Sequence, residues 1–471
     1  MHLQADSLAS LKRGPSEPVM GFETSTPVVA SQFSNRVREL NMLRSIAVEA
    51  QGGVRRWLAI LGHRKVGKTS LLIEFLRQSG AELPMPYIDC WEVRADPLQF
   101  LLNFLSAIIG TTVRHLGAES DVGPLEATEG DRLAASTVQA LARLRFRVID
   151  EAVQLHEGVA SGKPAAGTLH RIFDLPGRLA AEIKRPVLVI LDELQELERL
   201  RRLRRFRDRV DDVFGLLRSL WQRQEGVSYV VAGSRLSVMR QIIADEKNAF
   251  FQHFEMLELG PFERQESLKM LREAFGTGAN IPDSAMTTRI LDLVGDNPFY
   301  VRVLAREAAA ALIGGKATPP ALEHAMKEAL ESSLLEENGR LSLFMEQRYR
   351  SVTGESSTLE SVLRGFVDPA RISDVSEKLH VRTGAVSSAV KTLLGEDVLE
   401  KHADGRYGFT DPAFALWLKH RVDFRLAMPP LLVGTDSEQV VARRLAADGF
   451  RGVYQSRASR GAFDLLAIHD T

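Results

Sequence analysis

The residues best suited to chemistry lie near the start of the chain, in the stretch GHRKVGKTS. Its glycines allow the backbone to curl so that successive N–H groups face phosphate oxygens. Lys68 can neutralise β- and γ-phosphates, and the Thr69 hydroxyl is a ligand suited to Mg²⁺. We therefore predict that ATP and Mg²⁺ bind to this phosphate loop, which consists of Gly62, His63, Arg64, Lys65, Val66, Gly67, Lys68, Thr69 and Ser70.

A loop of this kind binds phosphate only between a strand and a helix. The apolar run 57–61 before the loop predicts a strand, and the LLIEFL pattern after it predicts a helix. The phosphates would then lie at the positive end of the helix dipole. The flanking elements therefore favour a nucleotide site over a chance glycine-rich turn.

Two carboxylates follow a second apolar run, residues 187–191. A continuous apolar run is typical of a strand buried on both faces of a parallel sheet. Open α/β sheets bind ligands at the carboxyl ends of their strands. We predict that Asp192 holds the magnesium through water and that Glu193 orients and polarises the attacking water.

Five predicted strands occur in a sequence order that resembles the additional-strand class of P-loop ATPases. The resemblance implies an α/β fold with a five-stranded parallel sheet, in which the acidic strand is not adjacent to the loop strand. It also implies a sensor position at the end of the fourth strand, where Ser234 or Arg235 would contact the γ-phosphate or the water. Arg235 is attractive because guanidinium is permanently charged, and a surface arginine at a strand end remains the alternative.

Two further motifs resemble the archaeal-type ATPases of the STAND/AAA+ assemblage. The stretch FSNRVREL is similar to a family motif near the adenine, although Asn35 and Val37 replace its glycine and first glutamate. The stretch VGDNPFYVRVLA is similar to a helix start in the family's lid. The resemblance covers residues 33–417 and implies that Arg36 and Pro298 lie close to the base.

Helical patterns and a hairpin signal predict the modules after the ATPase core. Apolar residues at three- and four-residue spacing predict an all-α lid, and helices followed by an Asp404-Gly405 turn predict a winged helix. The predicted recognition helix offers Ser387, Ser388 and Lys391, so a structural role is at least as well supported as DNA reading. The predicted boundaries are a flexible segment 1–30, ATPase core 31–262, lid 263–350, winged helix 351–425 and C-terminal fragment 430–471.

The densest positive charge lies between Arg199 and Arg209, directly after the acidic strand. Apolar residues at helical spacing predict an amphipathic helix through this stretch and on to Phe214. A solvated helix face is the leading interpretation, and binding of double-stranded DNA is the alternative.

The last segment resembles the opening half of a PD-(D/E)xK nuclease, with Glu438 on a predicted helix and Asp464 beside a predicted strand. Phosphodiester cleavage needs clustered carboxylates together with a lysine that activates water. The sequence reaches Thr471 before a second acid or that lysine, so we expect an inactive fragment.

Composition excludes several other classes. Lys and Arg total 60 against 61 Asp and Glu, so no global charge attracts nucleic acid. The single cysteine, Cys90, excludes an internal disulfide framework, and no signal peptide or membrane span is evident, which predicts a cytoplasmic location. We expect an Mg-ATP-dependent switch that hydrolyses ATP. The alternatives are a nucleotide-dependent assembly scaffold, with a protein partner or self-oligomer, and a DNA-binding regulator.

Overall fold

The computed structural model describes residues 26–30, 33–116, 146–162, 164–202, 211–275, 285–312, 318–426, 450–455 and 465–469. The chain divides into two compact units. The ATPase unit contains Phe22–Glu266 together with Asn297–Phe299. The helical unit contains Ser267–Asp296 and the chain from Tyr300 onward. The predicted domain boundaries within these units remain predictions.

The ATPase unit is built on a parallel sheet with the strand order β2-β3-β4-β1-β5. Strand β4 pairs with β1 on one side and with β3 on the other, so the loop strand and the acidic strand are separated as predicted. The predicted α/β fold class is therefore confirmed. The strands are β1 (Trp57–Leu61), β2 (Tyr87–Asp89), β3 (Val187–Asp192), β4 (Val227–Gly233) and β5 (Glu255–Glu258).

The sheet is covered by helices on both faces, which explains why β3 is apolar throughout. Leu188 and Ile190 pack with the first two helices of the unit, whereas Val189 and Leu191 pack into the larger core on the opposite face. Burial on both faces removes the polar alternation of a half-exposed strand. The helices are α1 (Val37–Gln51), α2 (Lys68–Ser79), α3 (Pro97–His115), α4 (Arg147–Ala160), α5 (Thr168–Ile183), α6 (Val213–Trp221) and α7 (Leu236–Ala244).

Helix α3 contains the most membrane-like run of the sequence, and its side chains are buried inside the protein. Phe100, Phe104 and Leu105 belong to the larger core. Among the residues that the structure describes, no helix is long and apolar enough to cross a membrane.

The helical unit contains nine α-helices and one π-helical turn, Glu331–Leu335, within its described residues. Helices α13, α14 and α15 precede an antiparallel hairpin, β6–β7, in the order that the sequence predicted for a winged helix. The elements are α8 (Arg264–Phe275), α9 (Ala285–Val294), α10 (Pro298–Ala311), α11 (Pro319–Leu330), α12 (Arg340–Thr353), α13 (Ser357–Gly365), α14 (Ile372–Leu379), α15 (Thr383–Gly395), β6 (Leu399–Lys401), β7 (Tyr407–Phe409) and α16 (Pro412–Leu426).

A partly buried polar cluster joins three helices of this unit. The Tyr300 hydroxyl on α10 donates to Asp411 Oδ2 at 2.7 Å, and Arg348 Nη1 on α12 donates to the same oxygen at 2.5 Å. The other carboxylate oxygen of Asp411 accepts from the Ala413 and Phe414 amides at the start of α16. This cluster links the predicted lid to the helix after the hairpin.

The prediction of one amphipathic helix from Arg199 to Phe214 is wrong. A 3₁₀ segment, Leu194–Arg202, follows β3, and residues 203–210 lie outside the described part. A new helix, α6, then begins after Asp212, whose backbone is extended and whose carboxylate caps the Gly215 amide at 2.8 Å. A capping aspartate satisfies the free amides of a helix start, so the chain begins a new helix here.

The C-terminal fragment is described only for β8 (Phe450–Gln455) and β9 (Leu465–His469). Glu438 and Asp464 lie outside the described residues. Strand β9 forms an antiparallel pair with β8.

The segment before α1 is tied to α2 just behind the phosphate loop. The Ala30 amide donates to Glu74 Oε2 at 2.8 Å, and the Val28 amide donates to Ser70 Oγ at 3.1 Å. Glu74 is buried and also accepts two bonds from Arg77. These donors, with Arg77 the strongest, lower the pKa of Glu74 from 4.5 to about 2.

We predict that Glu74→Gln lowers the free energy of unfolding at pH 7. A depressed carboxylate pKa stabilises the fold above pH 4.5 and loses that effect as the pH falls towards 2. Each pKa unit corresponds to about 1.4 kcal/mol, and screening around the half-exposed Arg77 reduces the expected effect to about 1–2 kcal/mol. Urea denaturation between pH 7 and pH 2 measures it.

The control is Glu82→Gln, which changes an exposed residue just after α2. Its unfolding free energy should match that of the unmodified protein at every pH. A Glu74→Gln deficit that stays constant down to pH 2 would contradict the prediction.

Candidate nucleotide-binding site

The phosphate loop connects β1 to α2, and its two glycines are needed for different reasons. Gly67 has a φ of 97° with open space around it, so the requirement there is conformational. A Cβ added to Gly62 would lie 2.5 Å from the Leu259 carbonyl oxygen, so the requirement there is space. The loop curls as the motif predicted, with Val66 buried beneath it.

Lys68 is folded back over this loop. Its Nζ donates to the Gly62 carbonyl at 2.8 Å and to the His63 carbonyl at 3.0 Å. The side chain is buried, which lowers the pKa of Lys68, while the nearby Glu193 and Asp192 carboxylates act to raise it. The ammonium group therefore lies against the backbone of the phosphate loop.

Asp192 and Thr69, both predicted as metal ligands, are in contact. Thr69 Oγ1 donates to Asp192 Oδ2 at 2.6 Å, and the Glu193 amide donates to Asp192 Oδ1 at 3.0 Å. Burial raises the pKa of Asp192, and the Thr69 hydrogen bond opposes that shift. A hydroxyl and a carboxylate are the hard oxygen ligands that Mg²⁺ takes together with nucleotide phosphates.

No cluster of three or more His, Cys, Asp or Glu side chains suited to a metal occurs in the described part of the chain.

Glu193 and Ser234 were predicted separately, and the structure brings them together. Glu193 has a φ of 53°, in the left-handed region that a non-glycine residue rarely adopts. Its Oε2 accepts from the Ser234 hydroxyl at 2.8 Å and from the Ser234 amide at 3.1 Å. Arg235 lies next to them as the half-buried N-cap of α7, and its role as a phosphate contact stays a prediction.

Arg36 lies behind the phosphate loop and binds backbone. Its Nη2 donates to the Gly260 carbonyl at 2.5 Å and to the Val66 carbonyl at 3.3 Å. The guanidinium lies 5.1 Å from the centre of the Phe262 ring, and burial lowers the pKa of Arg36. Arg36 thus supports the loop, and its predicted contact with the base stays a prediction.

Pro298 begins α10, at the helix start that the stretch VGDNPFYVRVLA predicted. The three residues Asn297–Phe299 cluster with the ATPase unit. Lys65 Nζ, at the tip of the phosphate loop, lies 4.7 Å from the centre of the Phe299 ring. The predicted contact of Pro298 with the base stays a prediction, and the segment around it does reach the loop.

Sequence reasoning missed two aromatic residues near the site. The Tyr87 hydroxyl donates to Asp192 Oδ2 at 3.2 Å. Two guanidinium groups lie near the Trp91 ring, that of Arg64 in the loop at 5.0 Å and that of Arg94 at 3.9 Å from the ring centre. Tyr87 lies on β2, which pairs in parallel with β3, so both strands end at the edge of the sheet where Asp192 lies.

Comparison with known protein families identifies the ATPase domain. A model of the ATPase domain found predominantly in Archaea matches residues 33–304, which is more than half of the chain. The chain belongs to this archaeal ATPase family. Membership of this family supports nucleotide binding by the ATPase domain. A search of curated proteins found no match.

Solved structures resemble the archaeal ATPase chain over most of its length. The Walker-type ATPase PABY2304 of Pyrococcus abyssi is 17% identical, with 84% of this chain and 99% of that chain covered at a TM-score of 0.57. The ORC2 protein of Aeropyrum pernix, in ADPNP and ADP complexes, is 13% identical, with 86% of this chain and 98% of that chain covered at a TM-score of 0.48. At this identity the P. abyssi likeness establishes the fold.

We predict that Tyr87→Phe lowers the affinity for Mg²⁺ during nucleotide binding by this ATPase domain, so that a higher Mg²⁺ concentration is needed. The change removes one of two hydroxyl donors from the buried Asp192 carboxylate. Partners of metal ligands typically contribute about 10–100-fold in metal affinity, so we expect about a tenfold shift. A Mg²⁺ titration of binding of a fluorescent ATP analogue measures it, and binding in EDTA should not change.

The control is Tyr349→Phe, which removes a hydroxyl that accepts from Arg364 in the helical unit. Its magnesium titration should superimpose on that of the unmodified protein. If Tyr87→Phe behaves like this control, Tyr87 does not support the metal ligand.

Proposed function

We propose that this archaeal-type ATPase binds Mg-ATP and hydrolyses it as a molecular switch. The observation that carries the proposal is the placement of three groups at one edge of the sheet: the Lys68 ammonium over its loop, the Thr69–Asp192 pair, and Glu193 held by Ser234. These are a phosphate-binding cation, a metal-binding pair and a base, and phosphoryl transfer to water needs all three.

Phosphate binding would replace the internal bonds of Lys68. In the structure its ammonium group is bound to the carbonyls of Gly62 and His63. The β- and γ-phosphate oxygens are stronger acceptors, because a charge-assisted bond between two ions exceeds one to a neutral carbonyl. Lys68 would then neutralise the charge that develops during transfer.

The remaining groups act on the metal and on the water. Thr69 and Asp192 would hold Mg²⁺, which would supply positive charge to the phosphates. Glu193 would orient the attacking water and take its proton. Ser234, which binds Glu193 in the structure, would contact the γ-phosphate as well, and Arg235 beside it would add positive charge.

The switch would act through the segment around Pro298. Asn297–Phe299 belongs to the ATPase unit, while α10 continues into the helical unit and contributes Tyr300 to the Asp411 cluster. A nucleotide that displaces Lys65 from Phe299 would change the start of this helix. Movements of this type convert γ-phosphate occupancy into domain rearrangement.

We predict different effects for two substitutions. Lys68→Ala should lower ATP affinity by at least tenfold, because the phosphates lose their buried cation. Glu193→Gln should leave ATP affinity within about twofold and lower hydrolysis about 100-fold or more, because the amide accepts no proton. Isothermal titration and phosphate release on the purified full chain measure the two quantities.

The control is Glu198→Gln, which lies in the 3₁₀ segment after β3 and pairs with Arg201 at the surface. Its affinity and turnover should not change. If the unmodified protein binds ATP and assembles with it but turnover does not depend on Glu193, the chain is a nucleotide-dependent scaffold.

Double-stranded DNA is the second partner that we propose. In the described part of the basic stretch, Arg199 pairs with Glu196 and Arg201 with Glu198, which reduces its free charge. By contrast, α15 exposes Ser387, Ser388 and Lys391 after the turn of the predicted winged helix. These observations favour α15 over the patch Arg199–Arg209.

We predict that Lys391→Ala weakens DNA binding and reduces its salt dependence. Each phosphate contact contributes about 0.9 to the slope of log K against log salt, so the slope should fall by about one. The comparison variant replaces Arg201, Arg202, Arg204 and Arg205 with Ala and should leave the slope nearly unchanged. If only the comparison variant reduces the slope, DNA binds the basic patch. If neither variant reduces the slope, the proposal that DNA is a partner fails.

A further inference from the structure

Gln195 makes a contact with Glu193 that sequence motifs did not indicate. It is the second residue of the 3₁₀ segment after β3 and is buried, with 4% of its surface exposed. Its Nε2 donates to Glu193 Oε2 at 2.5 Å. The same carboxylate oxygen also accepts both bonds from Ser234, so three donors converge on one atom.

The other end of the Gln195 carboxamide has no hydrogen bond. Its Oε1 is buried and accepts none from the residues that the structure describes. A buried acceptor without a donor is destabilising, and methionine has a similar size with no such group. Reversing the amide would place its oxygen against the Glu193 carboxylate and remove the bond, so the donor end must face Glu193. The polar side chain therefore costs stability at this position and contributes a bond to Glu193.

Gly233, the last residue of β4, provides the space for this carboxamide. A Cβ added there would lie 2.5 Å from Gln195 Oε1 and equally close to the Met239 side chain. Its backbone does not adopt a positive φ, so glycine is needed here for space. The end of β4 thus leaves room for Gln195 through Gly233 and supplies two donors to Glu193 through Ser234.

We propose that Gln195 is the positioning residue of Glu193 and that Gly233 permits it to act. With Oε2 saturated by Gln195 and Ser234, the carboxylate has a fixed rotation and presents its other oxygen to the attacking water. Gln195 touches neither water nor nucleotide in this scheme. The inference rests on the proposed function, because it assigns the orientation of the base for ATP hydrolysis.

The first test is Gln195→Met, which keeps the volume and removes the donor. The expected result is a kcat about tenfold lower, because a small displacement of a catalytic group has an effect of this order or larger. The affinity for ATP should not change, and Tm should stay equal or rise. The control, Gln241→Met, changes an exposed glutamine on α7 and should alter neither kcat nor Tm.

A double-mutant cycle separates positioning from a general structural role. In a Glu193→Gln background there is no carboxylate to orient, so Gln195→Met should change the residual rate less than twofold. If it lowers that rate by the same factor as in the unmodified protein, Gln195 does not act through Glu193 and the proposal is overturned.

A second variant reaches the same contact from the opposite side. Gly233→Ala places a methyl group against the Gln195 carboxamide and should reproduce the loss of kcat with unchanged ATP affinity. Its control is Gly158→Ala on α4, where an added Cβ meets nothing within 4 Å. Full activity in Gly233→Ala would overturn the role assigned to this glycine.

A crystal structure of nucleotide-free Gln195→Met tests the geometry without any turnover. The Glu193 carboxylate should leave at least one of its two bonds to Ser234. If both bonds persist, the proposal fails even when the enzyme hydrolyses ATP. If the unmodified protein does not hydrolyse ATP, the proposed function fails, and this structure still decides whether Gln195 positions Glu193.

Discussion

The parallel pairing of β4 between β1 and β3 is the constraint on which the site depends. Leu61 lies beside Gly233 in this register, and Leu191 lies beside Val231. The chain therefore leaves the sheet at one edge three times, first into the phosphate loop, then into Asp192 and Glu193, and last into Ser234. Backbone hydrogen bonds between these buried strands fix the points at which the chain leaves the sheet, and so bring the side chains that follow them to one edge.

Charged groups in this site are held at a cost in stability. Burial lowers the pKa of Lys68 and Arg36 and raises that of Asp192, so each shift opposes the charged form. The compensation is local, through carbonyl oxygens for the cations and hydroxyl or amide donors for the carboxylate. Active sites commonly combine such destabilised groups with a rigid scaffold, and here the scaffold is a sheet buried on both faces.

The sequence allowed the sheet and the phosphate loop to be predicted because their signals are local. A glycine that must curl and a lysine that must face phosphate are both visible in one short motif, and β3 is apolar without interruption. Tyr87 and Gln195 were missed because their roles depend on which strands are neighbours. The single helix predicted from Arg199 to Phe214 was wrong because the prediction relied on apolar spacing and overlooked Asp212. The capping bond of this residue begins a new helix.

The contacts of Arg36 determine which substitutions the region behind the phosphate loop can accept. Its guanidinium binds the backbone oxygens of Val66 and Gly260, which every amino acid at those positions would supply. These two hydrogen bonds therefore do not depend on the side chains at positions 66 and 260, provided that the arginine and the path of the backbone are kept. Substitutions at these two positions would leave both hydrogen bonds in place, whereas loss of Arg36 would remove both of them together.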